Sequence, residues 1–95
     1  ALFDQALAQD PDNADILTNR GTALLALQQP QAAVEAFDQA IAVEPNLPEA
    51  WNNRGAALWS LRQFEEALSS VERAIALNPD YADAKALRQQ MQERL

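Results

Sequence analysis

The chain contains no cysteine and no histidine, and the two absences together remove much of the chemistry that a small domain can carry. Without cysteine there is no disulfide framework. Without either residue the usual zinc and transition-metal sites cannot be built. The acids and hydroxyls that remain lack the imidazole or thiolate partner expected of a nucleophile and base grouping. Glycine is confined to Gly21 and Gly55, and β-branched residues are few, so little is left from which to build strands. No apolar run approaches the roughly 18 uninterrupted residues of a membrane span. No targeting pattern stands at the N-terminus, and the chain opens on Ala1 rather than methionine, as an excised fragment would. Basic residues are also scarce, with Lys85 the one lysine and a formal net charge of −7. Nucleic acid and acidic membrane surfaces are therefore poor partners, because neutralising phosphates requires clustered Lys and Arg.

Alanine, leucine, glutamine and glutamate fill most positions instead, a composition suited to long helices. The stretch "NNRGAAL" at 52–58 has a near copy, "TNRGTAL", at 18–24. Ungapped superposition of 14–47 on 48–81 gives 12 identities and a repeat period of 34 residues. Each unit divides into two helical segments, 14–27 with 31–44 and 48–61 with 65–78, and "QQP" and "RQF" serve as the turns. Pro30 suits the first turn of its helix, where a missing N–H is harmless. Between units the chain turns at Pro11, Pro45 and Pro79. Each is followed by an Asp or Asn and, three residues later, by an acid: Asp12 with Asp15, Asn46 with Glu49, Asp80 with Asp83. This spacing predicts capping boxes at the helix starts. Asp10, Asp12 and Asp15 also alternate as calcium-loop ligands do, but Pro11 and the absence of the rest of such a loop favour capping.

The pattern resembles the tetratricopeptide repeat family, whose unit carries W-x2-L-G-x2-Y, then A-x3-F, then P. The second unit supplies Trp51, Gly55, Leu58, Ala67, Val71 and Pro79, and the first Leu17, Gly21, Leu24, Ala33, Phe37 and Pro45. Arg20 and Arg54 replace the family's usual Leu, leucines replace its Tyr, and Pro30 stands where an aromatic is common. The resemblance implies an all-α fold, a right-handed superhelical array of antiparallel helix-turn-helix units. Residues 1–13 would be the second helix and turn of a truncated unit, 14–47 and 48–81 two whole units, and 82–95 a capping helix. That last helix places Ala84, Leu87 and Met91 on one stripe, with Lys85, Arg88, Gln89, Gln92 and Glu93 elsewhere. Leu2, Phe3, Ala6 and Leu7 give the N-terminal segment an apolar face, which predicts either a longer array or self-association through that half repeat.

Packing follows from the periodicity. Trp51, Gly55 and Leu58 share a face toward the next helix, so Gly55 should meet Ala67 and Gly21 should meet Ala33. Arg20 and Arg54 fall at the shoulder of the buried stripe, toward the preceding unit. Each has an acid ten residues upstream, Asp10 and Glu44, and inter-repeat ion pairs are expected there, looser where Asn78 precedes Arg88.

The resemblance further implies a non-catalytic scaffold that binds a protein or peptide segment in a concave groove lined by the first helices, with no cofactor and no metal. Carried onto this sequence, the groove positions are Asp15, Thr18, Thr22, Leu25 and Ala26, then Glu49, Asn52, Ala56, Trp59 and Ser60. Asn19 and Asn53 flank them, and Asp83 and Ala86 continue the face. In the family, one such groove clamps the C-terminal carboxylate of chaperone peptides with Lys and Asn. Asn53 matches that pattern, but Thr18 and Thr22 stand where the first Lys and Asn would be. Asp15 and Glu49 at the edge, with Leu25 and Trp59 inside, suit an apolar or mildly basic segment better. The competing expectation is a structural spacer or self-assembly segment of a longer repeat protein.

Overall fold

The computed structural model describes residues 13–95. Five helices fill them: α1 (Ala14–Ala26), α2 (Pro30–Val43), α3 (Pro48–Ser60), α4 (Phe64–Leu77) and α5 (Ala82–Arg94). Each packs on the next in sequence, and α1 also meets α3, which sets the first helices of successive hairpins side by side. The chain is thus an all-α stack of helical hairpins, and the segments read from the 34-residue period coincide with the helices to within a residue. The expectations that fall on residues 1–12, including the apolar face of Leu2, Phe3, Ala6 and Leu7 and the roles of Asp10, Pro11 and Asp12, lie outside the described residues.

Two kinds of turn alternate. Within each hairpin the first helix ends in a residue with positive φ, Gln28 at 60° and Arg62 at 65°. At the first of these ends the Gln29 N–H donates to the Leu24 carbonyl and the Gln28 N–H to that of Leu25. The second end repeats the arrangement, with Gln63 donating to Leu58 and Arg62 to Trp59. This is the Schellman closure, which satisfies two orphan carbonyls. Glycine is the usual occupant of its left-handed position because it has no Cβ to clash. Here Gln28 and Arg62 carry the clash instead. Pro30 follows at the first turn of α2, as expected.

Among the described residues the expected capping boxes of Asn46 with Glu49 and Asp80 with Asp83 are absent, and the helices α1, α3 and α5 begin one residue later than the box spacing requires. Their N-cap residues are Asn13, Leu47 and Tyr81, of which Asn13 alone caps through its side chain, its Oδ1 accepting from the Ile16 N–H at 3.1 Å. Proline explains the shift in α3: Pro48 fits the first helical position and pushes the cap onto Leu47. Asn46 and Asp80 lie in the turns, where their own N–H groups donate to Glu44 Oε1 at 3.1 Å and Asn78 Oδ1 at 3.2 Å. Asp15, Glu49 and Asp83 do sit in first turns, where a carboxylate favours the helix dipole.

Phe37, Leu58, Val71 and Met91 are large buried side chains set among buried alanines of α2 to α5, and Leu17 is buried against Ala40 and Ala50. Gly55 behaves as expected: a Cβ there would come within 2.5 Å of Val71 Cγ2 and 2.9 Å of the Ala67 carbonyl oxygen. At Gly21 the atoms nearest such a Cβ all belong to the Phe37 ring, the first at 2.6 Å, because the broad ring fills the place that Val71 and the Ala67 carbonyl share at Gly55. In α5, Ala84 and Met91 are buried and Leu87 half-buried, while Lys85, Gln89, Gln92 and Glu93 face solvent.

Candidate functional site: the face of the first helices

The joint between hairpins is held by Arg54, though not by the acid expected. Its Nε donates to Asp38 Oδ1 at 2.7 Å and its Nη1 to Ser70 Oγ at 3.1 Å, so one guanidinium ties α3 to both α2 and α4. Glu44 has already left α2 and closes the turn on Asn46, which removes it from Arg54. The Arg54 and Arg73 guanidiniums stand 5.8 and 5.9 Å from the Trp51 ring centre, and Trp51 Nε1 donates to the Pro45 carbonyl at 2.8 Å. Trp51 is therefore part of the joint. Arg88 makes no ion pair among the described residues and lacks the second anchor that Ser70 gives Arg54. The Asp10 expected to pair with Arg20 lies outside the described residues.

The candidate groove residues fall into three groups. Asp15, Asn19, Thr22, Glu49 and Ser60 are exposed, and Leu25, Asn53, Ala56 and Trp59 half-buried. Thr18 is 2% exposed, with its hydroxyl donating to the Ala14 carbonyl at 2.8 Å, so it packs rather than presents a polar group. Asn52 is 7% exposed. The helical angle that puts both in the projected groove also turns them toward a neighbouring helix.

One pair spans the first helices: Asn53 Nδ2 donates to Thr22 Oγ1 at 3.2 Å, bridging α3 to α1. Thr22 passes its own proton to the Thr18 carbonyl at 3.0 Å. Beside this bridge, Asn52 Nδ2 donates to Asn53 Oδ1 at 3.3 Å, while Asn52 Oδ1 is buried with no hydrogen-bond partner. Turning that amide over would set its oxygen against the Asn53 oxygen. An acceptor left unpaired in this way costs about 1–3 kcal/mol.

At the edge where α3 and α5 begin, Tyr81 joins the site, a residue that the repeat pattern did not single out. Burial raises its pKa, the Glu49 and Asp83 carboxylates raise it further by disfavouring a phenolate, and the nearby Asn52 amide works the other way. This edge is acidic. At the opposite edge Trp59 stacks edge-to-face on Phe64, ring centres 4.6 Å apart. Trp59, Phe64, Arg62, Arg94 and Leu95 line a cavity of about 350 Å³ there. Phe64, Arg62 and Arg94 were missed because two of them sit at the turn and the third on the next hairpin. Superposing positions one repeat apart carries Ser60 onto Arg94 but leaves Arg62 and Phe64 unmarked, because their counterparts Gln28 and Pro30 are not groove positions. Among the described residues, no three acids cluster as metal ligands, and no helix is long and apolar enough to cross a membrane.

The fold has many solved counterparts. The first TPR of Spaghetti (RPAP3), bound to an HSP90 peptide, is 27% identical with a TM-score of 0.92, and the match covers 97% of this chain and 73% of that one. The second TPR domain of human RPAP3, in complex with an HSP70 peptide, is also 27% identical at a TM-score of 0.89, over 95% of this chain and 75% of that one. The Arabidopsis OM64 TPR domain is 26% identical at 0.94, over 98% and 77%. No curated protein sequence matches. Two tetratricopeptide repeat profiles match the sequence itself, over residues 28–92 and 2–35. On sequence and on fold alike, the chain belongs to the tetratricopeptide repeat family.

Proposed function

We propose that the face made by α1, α3 and α5 holds an extended segment of a partner protein, without catalysing a reaction on it. The observation that carries this reading is the buried, unpaired Oδ1 of Asn52 next to the Asn53–Thr22 bridge. A backbone or side-chain N–H from a bound segment, taken up as Asn53 or Tyr81 shifts aside, would satisfy it. Asn19, Thr22, Ala56, Trp59 and Ser60 supply further contacts along the face, with Asp15 and Glu49 at its edge. The RPAP3 structures, as peptide complexes, support the general mode of binding.

The chemistry of the segment differs from an acidic chaperone tail. The clamp for a terminal carboxylate has a Lys and an Asn where this chain has Thr18 and Thr22, and the edge beside them carries Asp15, Glu49 and Asp83. An apolar or mildly basic segment fits that edge. The test is a library of immobilised peptides, with every hit remeasured by titration on tryptophan fluorescence. Trp59→Ala and Asn53→Ala should weaken the hits, and hits that carry a basic residue should outnumber those that carry none. Unchanged affinity in both variants for every hit would rule the groove out.

A further inference from the structure

The cavity beside Trp59 has a twin. A second cavity, of about 310 Å³, is lined by Leu25, Gln28, Pro30 and Ser60. Adding the repeat length of 34 to each of those numbers gives Trp59, Arg62, Phe64 and Arg94, which line the first. The same backbone hollow therefore recurs at each junction, where the end of one first helix, its left-handed turn residue and the next first helix meet.

The two hollows are similar in size and differ in chemistry. The α1/α3 hollow is uncharged, with Leu25 and Pro30 as its apolar walls and Gln28 and Ser60 as its polar ones. The α3/α5 hollow has two aromatic walls and two guanidiniums, in a chain whose net charge is −7. Neither Arg62 nor Arg94 makes an ion pair among the described residues. Glu65 and Glu66 line the adjoining depression without reaching either guanidinium. The left-handed backbone at Arg62, φ 65°, is a strained place for a long side chain.

We infer that the Trp59 hollow is a specificity pocket for a partner-protein segment carrying a large apolar side chain next to a carboxylate. The apolar group would pack against the stacked Trp59–Phe64 pair and Leu95, and the carboxylate would take N–H donors from Arg62 and Arg94. Charge complementarity selects this occupant, because the arginines at this edge are unpaired while the far edge is acidic. The inference rests on the groove reading only for the path of the rest of the segment, which would run with its acidic end at Trp59 and any basic residue toward Glu49 and Asp83.

The twin supplies the control. Arg62→Gln with Arg94→Ser gives the pocket the polar residues that its counterpart already carries in a folded hairpin. The probes are blocked hexapeptides with Phe-Glu, Phe-Gln or Phe-Lys at the centre of a Gly/Ser background, titrated while the NMR signals of the Trp59 indole N–H and the Arg62 side chain are followed. Phe-Glu should shift both signals, with affinity falling about fivefold or more for Phe-Gln and further for Phe-Lys. The double variant should erase the difference between Phe-Glu and Phe-Gln, and Asn53→Ala should leave it intact.

Equal binding of the three peptides by the unaltered protein would overturn the proposal, and that comparison needs no variant. So would no shift with Phe-Glu at about 10 mM, equal shifts around Leu25 and Ser60, or a selectivity that survives the double variant. Loss of Phe-Glu binding in Asn53→Ala would move the contacts to the groove and overturn the pocket. Library hits that ignore Asn53 while Phe-Glu selectivity persists would sink the groove and leave the pocket standing.

Discussion

The two hairpins, α1 with α2 and α3 with α4, use the same backbone for different ends. Their glycines stand at equivalent positions, yet Gly21 meets an aromatic ring and Gly55 meets Val71 together with a main-chain oxygen. Their turns share one closure and one left-handed residue, yet Gln28 lines an uncharged hollow and Arg62 a cationic, aromatic one. The close approach of helices is fixed by the repeat, while the side chains at its rim are free to vary. Helix packing and rim chemistry are carried by different positions of the same unit.

The glycines offer the strongest way to break this equivalence. Gly55→Ala places a methyl against the Ala67 carbonyl, which moves only with its helix, and should cost about 2–3 kcal/mol even after the helix-propensity gain of alanine. Gly21→Ala has the Phe37 ring as its nearest contact, a side chain that yields more readily than a main-chain carbonyl, so about 1–2 kcal/mol is expected. Urea unfolding of the two variants checks the order. A larger loss at Gly21 would mean that the ring is as rigid as the backbone.

The left-handed residues should respond alike, and in the opposite direction. Gln28→Gly and Arg62→Gly should each stabilise by about 0.5–1 kcal/mol by removing the Cβ clash, read as a rise in the urea midpoint. Unequal gains would show that one of the two side chains is held by contacts worth keeping.

The smallest effect belongs to Tyr81, which has a leucine, Leu47, as its counterpart one repeat earlier. A phenol whose pKa is raised in the folded state keeps its proton when the unfolded chain has lost it. Its contribution to stability is complete below the unfolded value of about 10 and is lost as pH rises through the folded value. Thermal unfolding between neutral and strongly alkaline pH should show that loss, and Tyr81→Phe should flatten it.

The architecture was legible because a 34-residue repeat states each helix twice, and alanine, glycine and proline mark the same corners each time. What escaped was contact across the repeat. Counting along the chain pointed Arg54 at Glu44, but only the folded turn shows that Glu44 is engaged with Asn46 and that Asp38 faces α3. Helical angle placed Thr18 and Asn52 in the groove without recording that both are almost wholly buried, Asn52 with Tyr81 beside it. The capping boxes failed for a local reason, since Pro48 and the turn hydrogen bonds move the helix starts by one residue. The Asn53–Thr22 bridge joins two groove positions that nothing in the sequence pairs with each other.

The paired hollows have a consequence for any array built from such units. Because each junction exposes its own small chamber, a bound strand would be read as a row of separate letters, one per junction. Changing a letter would touch the rim residues of one chamber and none of the buried alanines behind it. A lineage of such proteins could then exchange partners by rewriting single characters while the spelling of the scaffold stays the same.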